Sequence, residues 1–251
     1  MKKILLGILA IGLMVITGCD SSNDELKKLE LQIKLKELEL KEKGIDTQSA
    51  SSKKSSNDFV WEDVTNPVTG RTWMDRNIGA SRAATSSTDA SAFGNLYQWG
   101  RGSDGHQYRK SEATNILSDT DQPGHNDFII NNNSPWDWKE TQNDSLWQGV
   151  DGINNPCPTG YRLPTETEWE EEVESWTSED HNGAYGSVLK LPMAGYRLAS
   201  NGSLDNVGTR GGYWSSTVSG ILANYLHFNS SNADMHSNYR AYGFSVRCLK
   251  D

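Results

Sequence analysis

The sequence has no excess of basic residues. Its 24 Lys and Arg stand against 33 Asp and Glu, a formal net charge of -9 over 251 residues. A nucleic-acid binder needs a cationic face to displace the counterions of phosphate, so no nucleic-acid partner is expected. Long apolar runs are also missing. Hydrophobic residues make up 35% of the chain, and the stretch from Ile4 to Ile16 falls short of the ~20 residues a spanning helix needs. A multi-span membrane protein is thereby excluded. Several enzyme signatures are absent: there is no G-x-S-x-G, no P-loop and no H-E-x-x-H. The five histidines (His106, His125, His181, His227 and His236) form no i,i+4 ligand pair. Cysteine is scarce at three, and an odd count in an exported protein leaves one thiol to explain. What the chain does have is nine Trp and nine Tyr, a buriable surface that separates it from disordered sequences.

The N-terminus speaks to compartment. Lys2 and Lys3 precede the apolar run Ile4 to Ile16, a positive n-region before a signal-peptide core. The following Ile16-Thr17-Gly18-Cys19 resembles the lipobox of bacterial lipoproteins. That resemblance implies a signal peptide over 1–18, cleavage before Cys19, and lipidation of Cys19. Two or three acyl chains on one residue exceed what stable anchoring requires. The expected location is therefore the bacterial cell envelope, with the membrane as a partner through the lipid. Asp20 resembles an inner-membrane retention signal of some bacteria, but the rule varies between lineages. Inner and outer membrane, periplasmic face and cell surface all stay open.

Residues 24–43 read DELKKLELQIKLKELELKEK, without Gly or Pro and rich in helix formers. Leu26, Leu29, Ile33 and Leu40 fall on one helical face, with Leu31, Leu35 and Leu38 nearly opposite. A solvated spacer helix and a coiled-coil stalk that makes homo-oligomers both fit this pattern. Residues 44–57 are Ser-rich and aperiodic, as in a flexible linker. The chain thus divides into a signal (1–18), a lipid-anchored stalk and linker (19–57), and a domain (58–251).

Within that domain, the turn Asn66-Pro67-Val68-Thr69-Gly70 separates two runs that resemble a hairpin. Residues 102–133 are polar and aperiodic, as in long loops. Thr165 with Glu168 three residues on forms a capping box. Trp169, Val173 and Trp176 then mark a buried helix face. Glu166, Glu168 and Glu170 to Glu172 crowd the first turns, where the helix dipole favours anions. Capping and solvation explain them better than catalysis does.

Together these pieces carry a family resemblance. Asn155-Pro156-Cys157-Pro158-Thr159-Gly160-Tyr161-Arg162-Leu163-Pro164-Thr165 with Glu168-Trp169 resembles the hallmark of the Fibrobacter succinogenes major paralogous domain. Gly94 to Gly100 (GNLYQWG), Tyr213 to Thr217 (YWSST) and Gly243 to Cys248 (GFSVRC) fit it in order. The RLPT-x-x-EW and GF-x-x-R pieces are also similar to the formylglycine-generating group. The resemblance covers nearly all of 58–251. It implies an α+β, C-type-lectin-like fold with a small twisted sheet, two helices and long loops. With Cys19 given to lipid, it also implies a Cys157–Cys248 disulfide, the default for two cysteines in an exported domain. The formylglycine-generating relatives use a close cysteine pair near the C-terminus. Here Cys248 stands alone in that region, so the resemblance does not carry that activity over and no catalytic residue is assigned. No cofactor is implied. Asp119-Thr120-Asp121 resembles the start of a calcium loop, but Pro123 stands where a ligand belongs and no Glu closes it. Calcium stays open because some lectin-like domains hold it in loops.

Residues 222–229 read as a strand with Leu226 and Phe228 inward and Tyr225, His227 and Asn229 outward. Residues 230–243 read as a loop of Asn, Ser, Asp, His and Tyr. Such a mix resembles an antibody paratope, with rigid aromatics among adaptable hydrogen-bonding groups. It is also similar to the C-terminal variable region of lectin-fold proteins diversified by retroelements, where mutated adenine-rich codons turn Asn into Tyr, His, Asp or Ser. The candidate contact residues are Asn224, Tyr225, His227, Asn229, Asn232, Asp234, His236, Asn238, Tyr239 and Tyr242. A glycan or a protein is the expected ligand. Two rival readings remain: a divergent formylglycine-generating-type enzyme, and a structural envelope protein acting through its stalk.

Overall fold

The computed structural model describes residues 53–54 and 60–251. The signal segment, Cys19, the stalk and most of the linker lie outside the described residues. In chain order the main elements are β1 (Asp63–Thr65), β2 (Thr72–Met74), β3 (Tyr97–Gln98), β4 (Tyr161–Arg162), α1 (Glu166–Glu174) and α2 (His181–Gly186). They continue with β5 (Tyr196–Arg197), β6 (Leu204–Asp205), β7 (Gly211–Ser219), β8 (Leu222–Phe228), β9 (Ala233–Tyr239), β10 (Gly243–Phe244) and β11 (Leu249–Lys250). The class is a mixed α+β one, as expected. These strands divide among three small antiparallel sheets, ordered β1-β2-β11-β4, β6-β5-β10-β3 and β7-β8-β9, and two further two-stranded pairs, 53–54 with 60–61 and 113–114 with 128–129, lie outside them, in place of one small sheet.

Local chemistry explains several elements. The Asn66 side chain accepts from the Val68 N–H at 2.9 Å and Gly70 takes φ +70°, which turns the chain from β1 to β2. Thr165 accepts from the Glu168 N–H at 3.2 Å, while Glu168 accepts from the Thr165 N–H at 2.8 Å. Two orphan donors at the start of α1 are thus satisfied reciprocally. Several carboxylates of α1 are engaged by named partners, while Glu170 and Glu174 are exposed. Glu168 also receives both guanidinium arms of Arg162 at 2.8 Å, and Glu171 pairs with Arg71. Glu172 is buried, accepts from Asn66 and Trp176, and has its pKa raised by burial.

Tryptophans join the core to the irregular parts. Six of them are fully buried, and a buried indole N–H needs a partner. Five donate to backbone carbonyls: Trp99 to Ser215, Trp138 to Trp99, Trp147 to Asn154, Trp169 to Trp214, and Trp214 to Tyr97. Buried arginines do the same for loops. Arg247 reaches Asn77 Oδ1 and the carbonyls of Met74 and Leu189, and burial lowers its pKa to about 10. Arg197 donates to Gly202, Tyr108 and Ser111 and lies 4.1 Å over the Phe128 ring. A fold with long loops exposes many carbonyls to the interior, and a guanidinium with five donors satisfies several at once.

The β7-β8-β9 sheet stands between two apolar clusters. Tyr213, Leu226 and Phe228 join Trp169 and Val173 of α1 and Trp73 of β2. The next residue on β7, Trp214, enters the other cluster with Tyr97, Trp99, Phe244 and Val246. Two glycines make this possible. A Cβ on Gly211 would lie 2.1 Å from Phe228 Cζ, and one on Gly212 would lie 2.5 Å from Phe244 Cδ1. Cys157 and Cys248 form a disulfide with Cα atoms 5.9 Å apart, tying the segment before β4 to the chain between β10 and β11.

Candidate functional site

The segment 230–243 is a loop only at 230–232 and 240–242. Residues 233–239 form β9, paired along its length with β8. Strand pairing, rather than the polar composition, decides its conformation, because cross-strand neighbours outweigh intrinsic preference. The register places Tyr225 opposite His236 and His227 opposite Asp234 on β9, with Asn238 opposite Ala223. On β7 the partners are Trp214 for Tyr225 and Gly212 for His227. One face of the hairpin therefore carries Tyr225, His227, Asp234, His236 and Asn238.

Asn224 is corrected by the same alternation. It shares the inner face with Leu226 and Phe228 and is only 6% exposed. Its Nδ2 donates to Glu166 Oε2 at 2.7 Å and its Oδ1 accepts from the Ser237 hydroxyl at 2.7 Å. Asn224 ties α1 to the sheet and is not a surface contact. Asn229 and Asn232 belong to the β8–β9 turn: Asn229 Oδ1 accepts from the N–H groups of Ser231 and Asn232. Tyr239 faces away from the histidines and stacks on Trp136, with centroids 4.5 Å apart and planes 15° from parallel.

A cavity of about 160 Å³ opens on the outward face, lined by Tyr196, Arg210, Tyr225, His227, Asn238 and Tyr242 over Gly211 and Phe244. Phe244 stacks with Tyr225 (4.3 Å, 11°) and with Tyr242 (5.9 Å, 10°). Burial pushes the Tyr225 phenol up to about 12, against a hydrogen bond with Asn238 that opposes the shift. Burial raises the Tyr196 and Tyr242 phenols too, so all three rings are neutral near pH 7. The Tyr196 hydroxyl is occupied by Asp205 and Asn206. The Tyr242 hydroxyl has no hydrogen bond and Arg210 has no ion pair among the described residues. Burial also lowers the His227 pKa, outweighing the hydrogen bond to Asp234 that raises it.

Four of the ten expected residues (Tyr225, His227, Asn238 and Tyr242) thus meet at the cavity, and Asp234 and His236 adjoin them. Sequence reading missed Tyr196 and Arg210. They come from β5 and the approach to β7, and no local signal links them to the hairpin.

A larger depression, about 380 Å³, lies beside β11 and residues 69–72. Its cations are already neutralised: Arg71 by Glu168 and Glu171, Arg162 by Glu168 and Asp251, and Lys250 by Asp63. The segment weighed for calcium is also engaged. Asp121 pairs with Lys139 at 2.9 Å and accepts from Asn143. Among the described residues, the group of His, Cys, Asp and Glu side chains placed to share an ion is His227, Asp234 and His236.

Comparison with known proteins adds one match. A family described as a domain of unknown function, DUF8237, matches residues 171–249. That span runs from within α1 to β11 and contains every cavity residue. No curated protein and no solved structure matches the chain.

Proposed function

We propose that this chain is a lipid-anchored bacterial envelope protein whose domain from residue 58 onward is a non-catalytic recognition module. Ligand is taken on the outward face of the β7-β8-β9 sheet. The observation that carries the reading is the convergence of Tyr196, Tyr225 and Tyr242 with Arg210, His227 and Asn238 around one exposed cavity. Flat neutral phenols offer faces for a sugar ring or an apolar side chain, and the amide and guanidinium fix orientation. At about 160 Å³ the cavity suits a single ring or side chain, so the ligand is a glycan end group or a residue presented by a protein.

A C-type-lectin-like architecture of the Fibrobacter paralogous type is the reading the scaffold supports. Small antiparallel sheets, two helices, long loops and a bridge from the pre-helix segment to the C-terminal strands agree with it. Several residues that carry the resemblance serve that scaffold: Leu163, Trp214, Val246 and Arg247 are buried, and Thr165 caps α1. Both cysteines of the described domain are joined to one another, which favours a structural role for them over a formylglycine-generating-type oxidase.

The test is a glycan and protein array probed with the full-length protein. Selective binding to a defined set of glycans or proteins is expected. Absence of any binding, or two freely titrating thiols in the unreduced protein, contradicts the reading.

A further inference from the structure

His227, Asp234 and His236 make a constellation that exists only in the folded hairpin. Asp234 and His236 are two apart on β9 and so share a face. His227 on β8 is the cross-strand partner of Asp234. Their ligand atoms all lie within 4.8 Å of one another. Asp234 Oδ1 is 3.1 Å from His236 Nε2 and 3.4 Å from His227 Nδ1.

We propose that these three side chains form a binding site for a divalent first-row transition metal, zinc foremost. Bonds of 2.0–2.2 Å in a tetrahedron hold the donor atoms roughly 3.3–3.6 Å apart. The observed spacings are close to that edge, so small side-chain rotations open the group around an ion. Two imidazoles and one carboxylate match the nitrogen and oxygen preferences of zinc, whereas calcium asks for six to eight oxygens. Three protein ligands leave a position for water or an exogenous oxygen. Asn232 Nδ2 donates to Asp234 Oδ1 at 3.0 Å, an outer-shell contact that orients the carboxylate. Entry is open, because the Asp234 and His236 side chains are each 48% exposed. His227 also lines the aromatic cavity, so a bound ion sits at its rim. The metal site nevertheless stands on its own geometry and does not depend on what fills the cavity.

The competing explanation is a hydrogen-bonded Asp–His network that takes no ion, and titration separates the two. The full-length protein, stripped with EDTA and dialysed, is titrated with ZnCl2 against a chromophoric zinc indicator. A parallel titration with CoCl2 follows the visible d–d bands. One equivalent of zinc and intense four-coordinate cobalt bands are expected. His236→Ala and Asp234→Asn are each expected to weaken zinc at least about tenfold, the cost of disturbing even an outer-shell partner. His125→Ala, a surface histidine elsewhere, is expected to bind as the parent does. The proposal is overturned by a parent protein that binds no stoichiometric zinc. It is equally overturned by unchanged affinity in His236→Ala and Asp234→Asn, or by an equal loss in His125→Ala. Circular dichroism checks that each variant is folded, and the parent titration decides the matter even if one is not.

Discussion

Tyr225 stacks on Phe244 with ring centroids 4.3 Å apart and planes 11° from parallel. One ring belongs to the candidate contact face and the other to the GFSVRC segment of the scaffold. Tyr225 also meets Trp214 edge-on at 5.9 Å. The candidate contact face is therefore continuous with the core through these ring contacts. Truncating the ring should cost stability as well as binding. Tyr225→Ala is expected to lose about 2–4 kcal/mol, near the range for removing a buried aromatic. Tyr225→Phe keeps the stack and should lose under about 1 kcal/mol. Urea denaturation of the two variants beside the parent measures both; equal stability of Tyr225→Ala and the parent would show that the stack does not support the fold.

His106 sets an acid limit on stability. It is fully buried; its Nε2 accepts from the Gln98 N–H at 3.1 Å and its Nδ1 lies 2.6 Å from Asp104. That arrangement requires the neutral ring with the proton on Nδ1. Burial lowers its pKa from 6.5 to about 4, although the hydrogen bond to Asp104 opposes the shift. The unfolded chain therefore takes up a proton first as pH falls. The stability from this group is complete above about pH 6.5 and is lost as pH falls toward 4, with a total on the order of 3 kcal/mol. The ¹⁵N resonances of His106 should keep the neutral Nδ1–H pattern down to about pH 5. An imidazolium pattern at pH 6 would rule this out.

The Cys157–Cys248 bridge spans 91 residues in sequence. A closed loop of that size is worth roughly 4–5 kcal/mol in the chain-entropy model. Replacing both cysteines with Ala is expected to lower the urea midpoint accordingly, with the native fluorescence retained in the absence of denaturant. The unreduced protein should show no reactive thiol at either position.

Much of the scaffold was legible because its signals are local. The Thr165–Glu168 box starts α1, Asn66 to Gly70 turns β1 into β2, and Leu226 and Phe228 alternate inward as expected. The contact face was legible only in part. Asn224 shares parity with Leu226, but its residue type suggested exposure; the deciding fact is the Glu166 carboxylate beneath it. Residues 233–239 have few β-formers, with Ala233, Met235 and Tyr239 the apolar or aromatic positions on the face away from the histidines, so the strand is set by β8. His227 and His236 are nine apart, a spacing that means nothing on a helix and becomes a pair only through the hairpin register. Tyr196 and Arg210 reach the cavity through tertiary packing alone. The motif residues describe the scaffold; the candidate contact residues sit where no motif points.

The most direct test is affinity for a ligand selected on the arrays, measured by titration calorimetry with the full-length parent, Asn238→Ala, Tyr242→Ala and Arg210→Ala. Tyr108→Ala, exposed and far in sequence from the hairpin, serves as the control. If the cavity is the recognition surface, at least two of the three cavity variants should bind about tenfold or more weakly, a loss of roughly 1.4 kcal/mol or greater, with the native fold retained. Parent-like affinity in all three would place recognition elsewhere on the molecule and contradict the central claim.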